Sequence, residues 1–229
     1  MIDICRISKN YDSFEALNNV SFSLKRNEII AFLGPNGAGK TTMMNIMTGV
    51  VSQSAGQVLF DNEDIRSNPI KIKSKIGYLP EYNPLYDDMY ACEYLEYAAG
   101  FYLHKKEIQK RVSEVIETVG LKDEYRKKTG QLSFGNKKRL GLAQALIHDP
   151  EILILDEPTN GLDPNQQLNM KTVIKELGQE KTILFSSHRF DDIENIASHY
   201  LILNKGKLVL DDRADNIHSI EDTFYKLTK

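Results

Sequence analysis

An apolar strand, Ile29-Ile30-Ala31-Phe32-Leu33, runs directly into Gly34-Pro35-Asn36-Gly37-Ala38-Gly39-Lys40-Thr41, and Lys40 to Thr48 reads as a helix. The loop fits G-x-x-x-x-G-K-[ST] and lies between strand and helix, the context in which that pattern cradles phosphate. Its glycines let backbone N–H groups turn inward around phosphate oxygens, and the helix N-terminus adds partial positive charge. Lys40 is placed to reach the β- and γ-phosphates of a nucleoside triphosphate, and the Thr41 hydroxyl to ligate Mg²⁺.

A second apolar run, Ile152-Leu153-Ile154-Leu155, ends in Asp156-Glu157. A strand ending in carboxylates carries a metal-side Asp to the carboxyl edge of a parallel sheet. Asp156 takes that role. Glu157 projects to the other side of the strand end, where a carboxylate can polarise the water that attacks the γ-phosphorus, so it is the general-base candidate.

Outward from these two stretches, Ile2 to Ile7, Val20 to Leu24, Gln57 to Phe60, Ile76 to Leu79 and Thr182 to Phe185 have strand character. Between Met89 and Gly120 the period turns helical, with Ile108, Val112, Val115, Ile116 and Val119 on one face, as in an inserted helical lobe. Further helices are expected from near Ser133, over Pro164 to Leu177, near Asp191 to Ala197, and from Ser219, where Asp222 gives an approximate capping signal. Tyr200 to Leu210 reads as a hairpin around Asn204-Lys205-Gly206. This alternation implies a largely parallel sheet covered by helices.

The 229 residues carry a formal charge of −3, and the basic groups Lys105-Lys106, Arg126-Lys127-Lys128 and Lys137-Lys138-Arg139 are short and scattered. No nucleic-acid partner is expected from such clusters. No apolar run approaches the roughly 20 residues that span a bilayer, and Met1 to Arg6 lacks a signal-peptide pattern, so a cytosolic chain is expected. Cys5 and Cys92 form no disulfide or metal framework. His104, His148, His199 and His218 lie in no ligand-like cluster.

Leu132-Ser133-Phe134-Gly135-Asn136-Lys137-Lys138-Arg139 resembles the ABC signature, Asp156 to Pro164 looks like that family's Walker B running into its D-loop, and Ser186-Ser187-His188 like its switch histidine. Asn204-Lys205-Gly206-Lys207 lacks the Asp of a guanine-reading motif. The resemblance covers almost the entire chain. It implies an α/β P-loop core with a mostly parallel sheet, an antiparallel N-terminal portion and an inserted helical lobe at about 86–150, all within one domain of residues 1–229.

It further implies an ATP-hydrolysing subunit that energises a membrane transporter, with the gliding-motility and multidrug or ABC-2 exporters as the most similar type. ATP would be held by the loop from Gly34 through Thr41 and Thr42, with Tyr11 stacking on adenine. Catalysis would rest on Glu157, His188 and Lys40, and Mg²⁺ on Thr41, Asp156 and Glu81. Ser133 and Gly135 would close over the nucleotide of a second ATPase subunit. An integral-membrane permease would hold the pair at the inner face of the cell membrane. The competing reading is a soluble, non-transport ABC ATPase of the assembly type.

Two features depart from the family pattern. Glu81 stands where a glutamine is usual, and Phe134 and Asn136 replace the commonest signature residues. Tyr82, Tyr86, Tyr90, Tyr94 and Tyr97 recur at nearly helical spacing, but Pro84 breaks any single helix through them. They form either an aromatic core for the lobe or a groove for a short helix of a membrane partner.

Overall fold

The computed structural model describes residues 1–229. Strands β1 (Ile2–Tyr11), β2 (Phe14–Leu24), β4 (Ala55–Phe60) and β5 (Glu63–Asp64) form one antiparallel sheet in the order β2-β1-β4-β5. The second sheet takes β3 (Ile29–Leu33), β6 (Ile76–Leu79), β7 (Ile152–Leu155), β8 (Thr182–Ser186), β9 (His199–Asn204) and β10 (Lys207–Arg213). Its order is β10-β9-β3-β8-β7-β6, parallel throughout except for the terminal β9–β10 hairpin.

The parallel strands read as unbroken apolar runs because both faces of the sheet are covered. Ile29, Ala31 and Leu33 of β3 enter one core, while Ile30 and Phe32 enter the other. Strand β7 divides likewise, with Leu153 and Leu155 on the first side and Ile152 and Ile154 on the second. The second core fills the space toward the antiparallel sheet and helix α1 (Lys40–Met47), through Met43, Met44, Ile46 and Met47.

Helices α3 (Ala91–Ala99), α4 (Lys105–Thr118) and α5 (Phe134–Leu146) cover the first face at one end, and α6 (Pro164–Leu177) joins them. The short α2 (Pro69–Lys73) precedes β6, and α7 (Ile220–Thr228) closes the chain. The helical stretch expected from Met89 to Gly120 is interrupted at Gly100 to His104, where Glu107 accepts the His104 N–H and starts α4 anew. Val112, Val115, Ile116 and Val119 are buried on the face their spacing indicated.

The expected helix over Asp191 to Ala197 does not form. Only a 3₁₀ turn spans Phe190–Asp192, since Asn195 adopts φ 64° and a residue in that region ends a right-handed helix. Ser219 does cap α7, accepting the Asp222 N–H at 3.1 Å. No helix is long and apolar enough to cross a membrane.

Candidate nucleotide site

Sheet register brings the motifs together. Leu79 of β6, Leu155 of β7 and Phe185 of β8 lie side by side, and Phe32 of β3 is level with Ser186. The residues that follow these strands, Glu81, Asp156, Ser187-His188 and the glycine loop, therefore leave the sheet at one edge. The Asp156 N–H donates to the Leu79 carbonyl at 2.8 Å and locks two of these exits together.

A cleft of about 670 Å³ opens there. Asn36, Gly37, Ala38, Gly39, Lys40, Thr41 and Thr42 line one wall, and Glu81, Asp156, Glu157, Asn160 and His188 the other. Gly39 has φ 107°, and a Cβ on it would meet the Ala16 carbonyl oxygen at 2.7 Å, so only glycine turns the loop into α1 at this point. The Lys40 ammonium donates to the Gly34 carbonyl at 2.7 Å and the Pro35 carbonyl at 3.4 Å. Burial lowers its pKa, and Glu157, Asp156 and Glu81 pull it back up.

Asp156 accepts from the Ser186 hydroxyl at 2.6 Å through Oδ1, and Ser186 in turn accepts the Glu157 N–H at 2.8 Å. This bridge from β8 fixes the turn after β7, where Glu157 holds φ 48°. Non-glycine residues in that region cost about 1–3 kcal/mol and persist where their surroundings over-determine them. Glu157 Oε2 lies 2.8 Å from His188 Nδ1. Burial pushes the Glu157 carboxyl above its usual range, against the pull of His188 and Lys40.

Asp156 Oδ2 is buried and without a hydrogen-bond partner. An orphaned carboxylate oxygen is costly unless a cation or its water completes it, so this edge fits a hard dication. No three His, Cys, Asp or Glu side chains gather as ligands. Asp156 would hold such a cation, with Thr41 and Glu81 on the lining of the same cleft, and phosphate and water would have to supply its remaining ligands.

Other expected site residues lie elsewhere. Tyr11 pairs with Phe14 across the β1–β2 turn and carries the Lys9 ammonium 4.8 Å over its ring, while Phe14 and Ala16 line the cleft. Ser133 caps α5 by accepting the Asn136 N–H at 3.2 Å. Gly135 packs on Gln166, whose Oε1 a Cβ would meet at 2.3 Å. Ser133 and Gly135 are not among the cleft's lining residues, and Phe134 is 56% exposed.

Three participants escaped sequence reasoning about individual residues. Ser186 lies in the quoted switch motif, but its bridging role follows from β7–β8 register. Asn160 donates to Glu81 Oε1 at 3.3 Å. Buried Asp192 accepts from Thr159 at 2.8 Å and lies within 3.4 Å of both Lys171 and Ser187, so it ties the turn after β7 to that after β8.

A second cavity of about 540 Å³ lies between the core and the helical lobe. Tyr86, Tyr97 and Phe101 meet edge to face along it, and Tyr102 stacks on His148 with centroids 4.3 Å apart. Tyr94 also lines it and meets Tyr86 edge to face, but is buried, its hydroxyl donating to Gln144 at 2.6 Å. Of the five tyrosines, Tyr94 alone is buried, while Tyr82, Tyr86, Tyr90 and Tyr97 stay exposed.

The ABC transporter family profile matches residues 17–160. The bacitracin transport ATP-binding protein BcrA of Bacillus licheniformis is 39% identical over 206 residues, 89% of this chain and 66% of that protein. The chain therefore spans about two thirds of that relative. The lantibiotic transport ATP-binding protein SrtF of Streptococcus pyogenes is 34% identical over 225 residues, covering 98% of this chain and 96% of that one. Among solved structures, a dimeric, post-hydrolysis ATP-binding cassette, MJ0796 bound to ADP and Pi, aligns with TM-score 0.85 and 26% identity over 93% of this chain and 98% of that one.

Proposed function

The chain belongs to the ABC transporter ATP-binding family, and on that premise we propose that it energises a membrane exporter through ATP-dependent pairing of two such subunits. It binds ATP and hydrolyses it in transport, as that family does. The whole chain is read as one cassette whose lobe, about 86–150, joins it to an integral-membrane permease at the inner face of the membrane. The names of the bacitracin and lantibiotic relatives support the transport role, and the dimeric solved cassette supports the pairing.

In this mechanism the glycine-loop amides hold the phosphates, and the Lys40 ammonium exchanges the Gly34 and Pro35 carbonyls for β- and γ-phosphate oxygens. Glu157, its pKa raised toward the working range by burial, takes the proton of the attacking water, and His188 orients its carboxylate. Mg²⁺, held by Thr41, Asp156 and Glu81, would neutralise charge on the phosphates. Ser133 and Gly135 serve the partner's nucleotide at the N-terminus of α5. The aromatic groove receives an amphipathic cytoplasmic helix of the permease.

The observation that carries this reading is that Lys40, Asp156, Glu157 and His188 share one cleft while Ser133 and Gly135 lie outside it. Light scattering of the Glu157→Gln variant tests it. ATP should convert that variant to a stable dimer without turnover. A monomer that retains ATP and still hydrolyses it would overturn the assignment.

A further inference from the structure

The three consecutive cations of α5 do different things. Lys137 pairs with Asp87 at 3.1 Å, and Arg139 donates to the Gly120 carbonyl at 3.1 Å. Lys138, between them, is only 4% exposed. Its ammonium donates to the Glu81 carbonyl at 2.7 Å and the Glu157 carbonyl at 3.3 Å.

A buried lysine needs charged company, since neutral carbonyls alone do not replace the solvation of an ammonium. That company is present. The cleft carries three carboxylates, Glu81, Asp156 and Glu157, and Lys40 is the one lysine on its lining. Lys138 reaches the same carboxylate group from behind, through the backbone of two of its members, and so supplies a second positive charge without occupying the cleft.

We propose that Lys138 is a positioning residue for ATP hydrolysis, fixing the backbone of Glu81 and Glu157 from helix α5 and offsetting the charge that Glu81 brings to the site. The inference rests on the ATPase mechanism given above. One lysine then links three exits from the fold: the turn after β6, the turn after β7, and the helix whose N-terminus carries Ser133. A glutamine at position 81 would remove the charge that Lys138 balances, so the two positions form a matched pair.

A double-mutant cycle tests this, with Lys138→Met, Glu81→Gln and their combination assayed for kcat, KM for ATP and half-saturating Mg²⁺. Lys138→Met should lower kcat about tenfold or more with little change in KM, and should shift the Mg²⁺ requirement. The same change in the Glu81→Gln background should cost several-fold less. Nucleotide-free melting of the same four proteins gives a second cycle that does not depend on turnover. Should Lys138→Met not fold, Lys138→Gln keeps a donor and drops the charge. Equal losses in both backgrounds, by turnover and by melting, would overturn the pairing. A wild-type chain that failed to hydrolyse ATP would instead count against the ATPase mechanism, and the melting cycle would still decide the Lys138–Glu81 coupling.

Discussion

The nucleotide cleft and the aromatic groove lie on either side of one short segment, with Tyr78 and Pro80 lining the groove and Glu81 the cleft. They are built on opposite principles. In the cleft, charge and backbone geometry fix each group: Ser186 clamps Asp156, His188 holds Glu157, and Gly39 makes a turn no other residue makes. In the groove, ring edges and faces supply surface, and any large aromatic of similar shape satisfies most contacts. A chemical site should therefore fail at single atoms, and a docking site only when surface is removed.

The largest break should come from Glu157→Gln, which removes the proton acceptor while sparing its shape. Steady-state turnover is expected to fall at least about 100-fold with ATP affinity retained. Gly39→Ala should follow, since a Cβ there meets the Ala16 carbonyl. Strain of about 1–3 kcal/mol is expected in thermal unfolding, together with weaker ATP binding by calorimetry. The groove should answer differently. Tyr86→Ala combined with Tyr97→Ala is expected to leave turnover within about twofold, as these rings touch nothing in the cleft, while pull-down with the permease is lost. Loss of turnover in that pair would erase the distinction between the two regions.

Away from both cavities the effects should be smallest. Asp61 accepts from the Met1 amine at 2.8 Å, and this bond, aided by Arg26 and Lys75, holds its pKa at about 2. A carboxyl with a lowered folded-state pKa stabilises above its ordinary value of 3.8 and loses that contribution as pH falls toward 2. Asp61→Asn should therefore flatten acid unfolding below pH 4 by under about 1 kcal/mol, since the pair is exposed.

The same contrast explains what could be read in advance. Asn36 to Thr42, Asp156 and Glu157, which line the cleft, were legible as residue types that phosphate chemistry calls for beside a strand end, and His188 only through the family resemblance of its motif. The buried strands were legible as apolar runs. Lys138 was not, because the triplet Lys137-Lys138-Arg139 does not reveal which of its cations points inward until the fold is known. Asp192 was hidden for the same reason, and the helix expected around it failed at Asn195, whose backbone conformation leaves no mark in periodicity. The tyrosines gave spacing without direction: Tyr94 and Tyr97 share α3, yet Tyr94 is 4% and Tyr97 49% exposed, and Pro84 leaves Tyr86 in the preceding loop.

In the proposed pair, each chain holds half of each working site. Mixing Glu157→Gln protein with Ser133→Arg protein tests this most directly. Each alone should be inactive, but a mixed pair contains one site with an intact phosphate loop and Glu157 from one chain and an intact Ser133 from the other. Turnover is expected to reappear in the mixture and to depend on total protein concentration. A mixture as inactive as its parts, or Ser133→Arg protein that turns over at the unmodified rate by itself, would contradict the account.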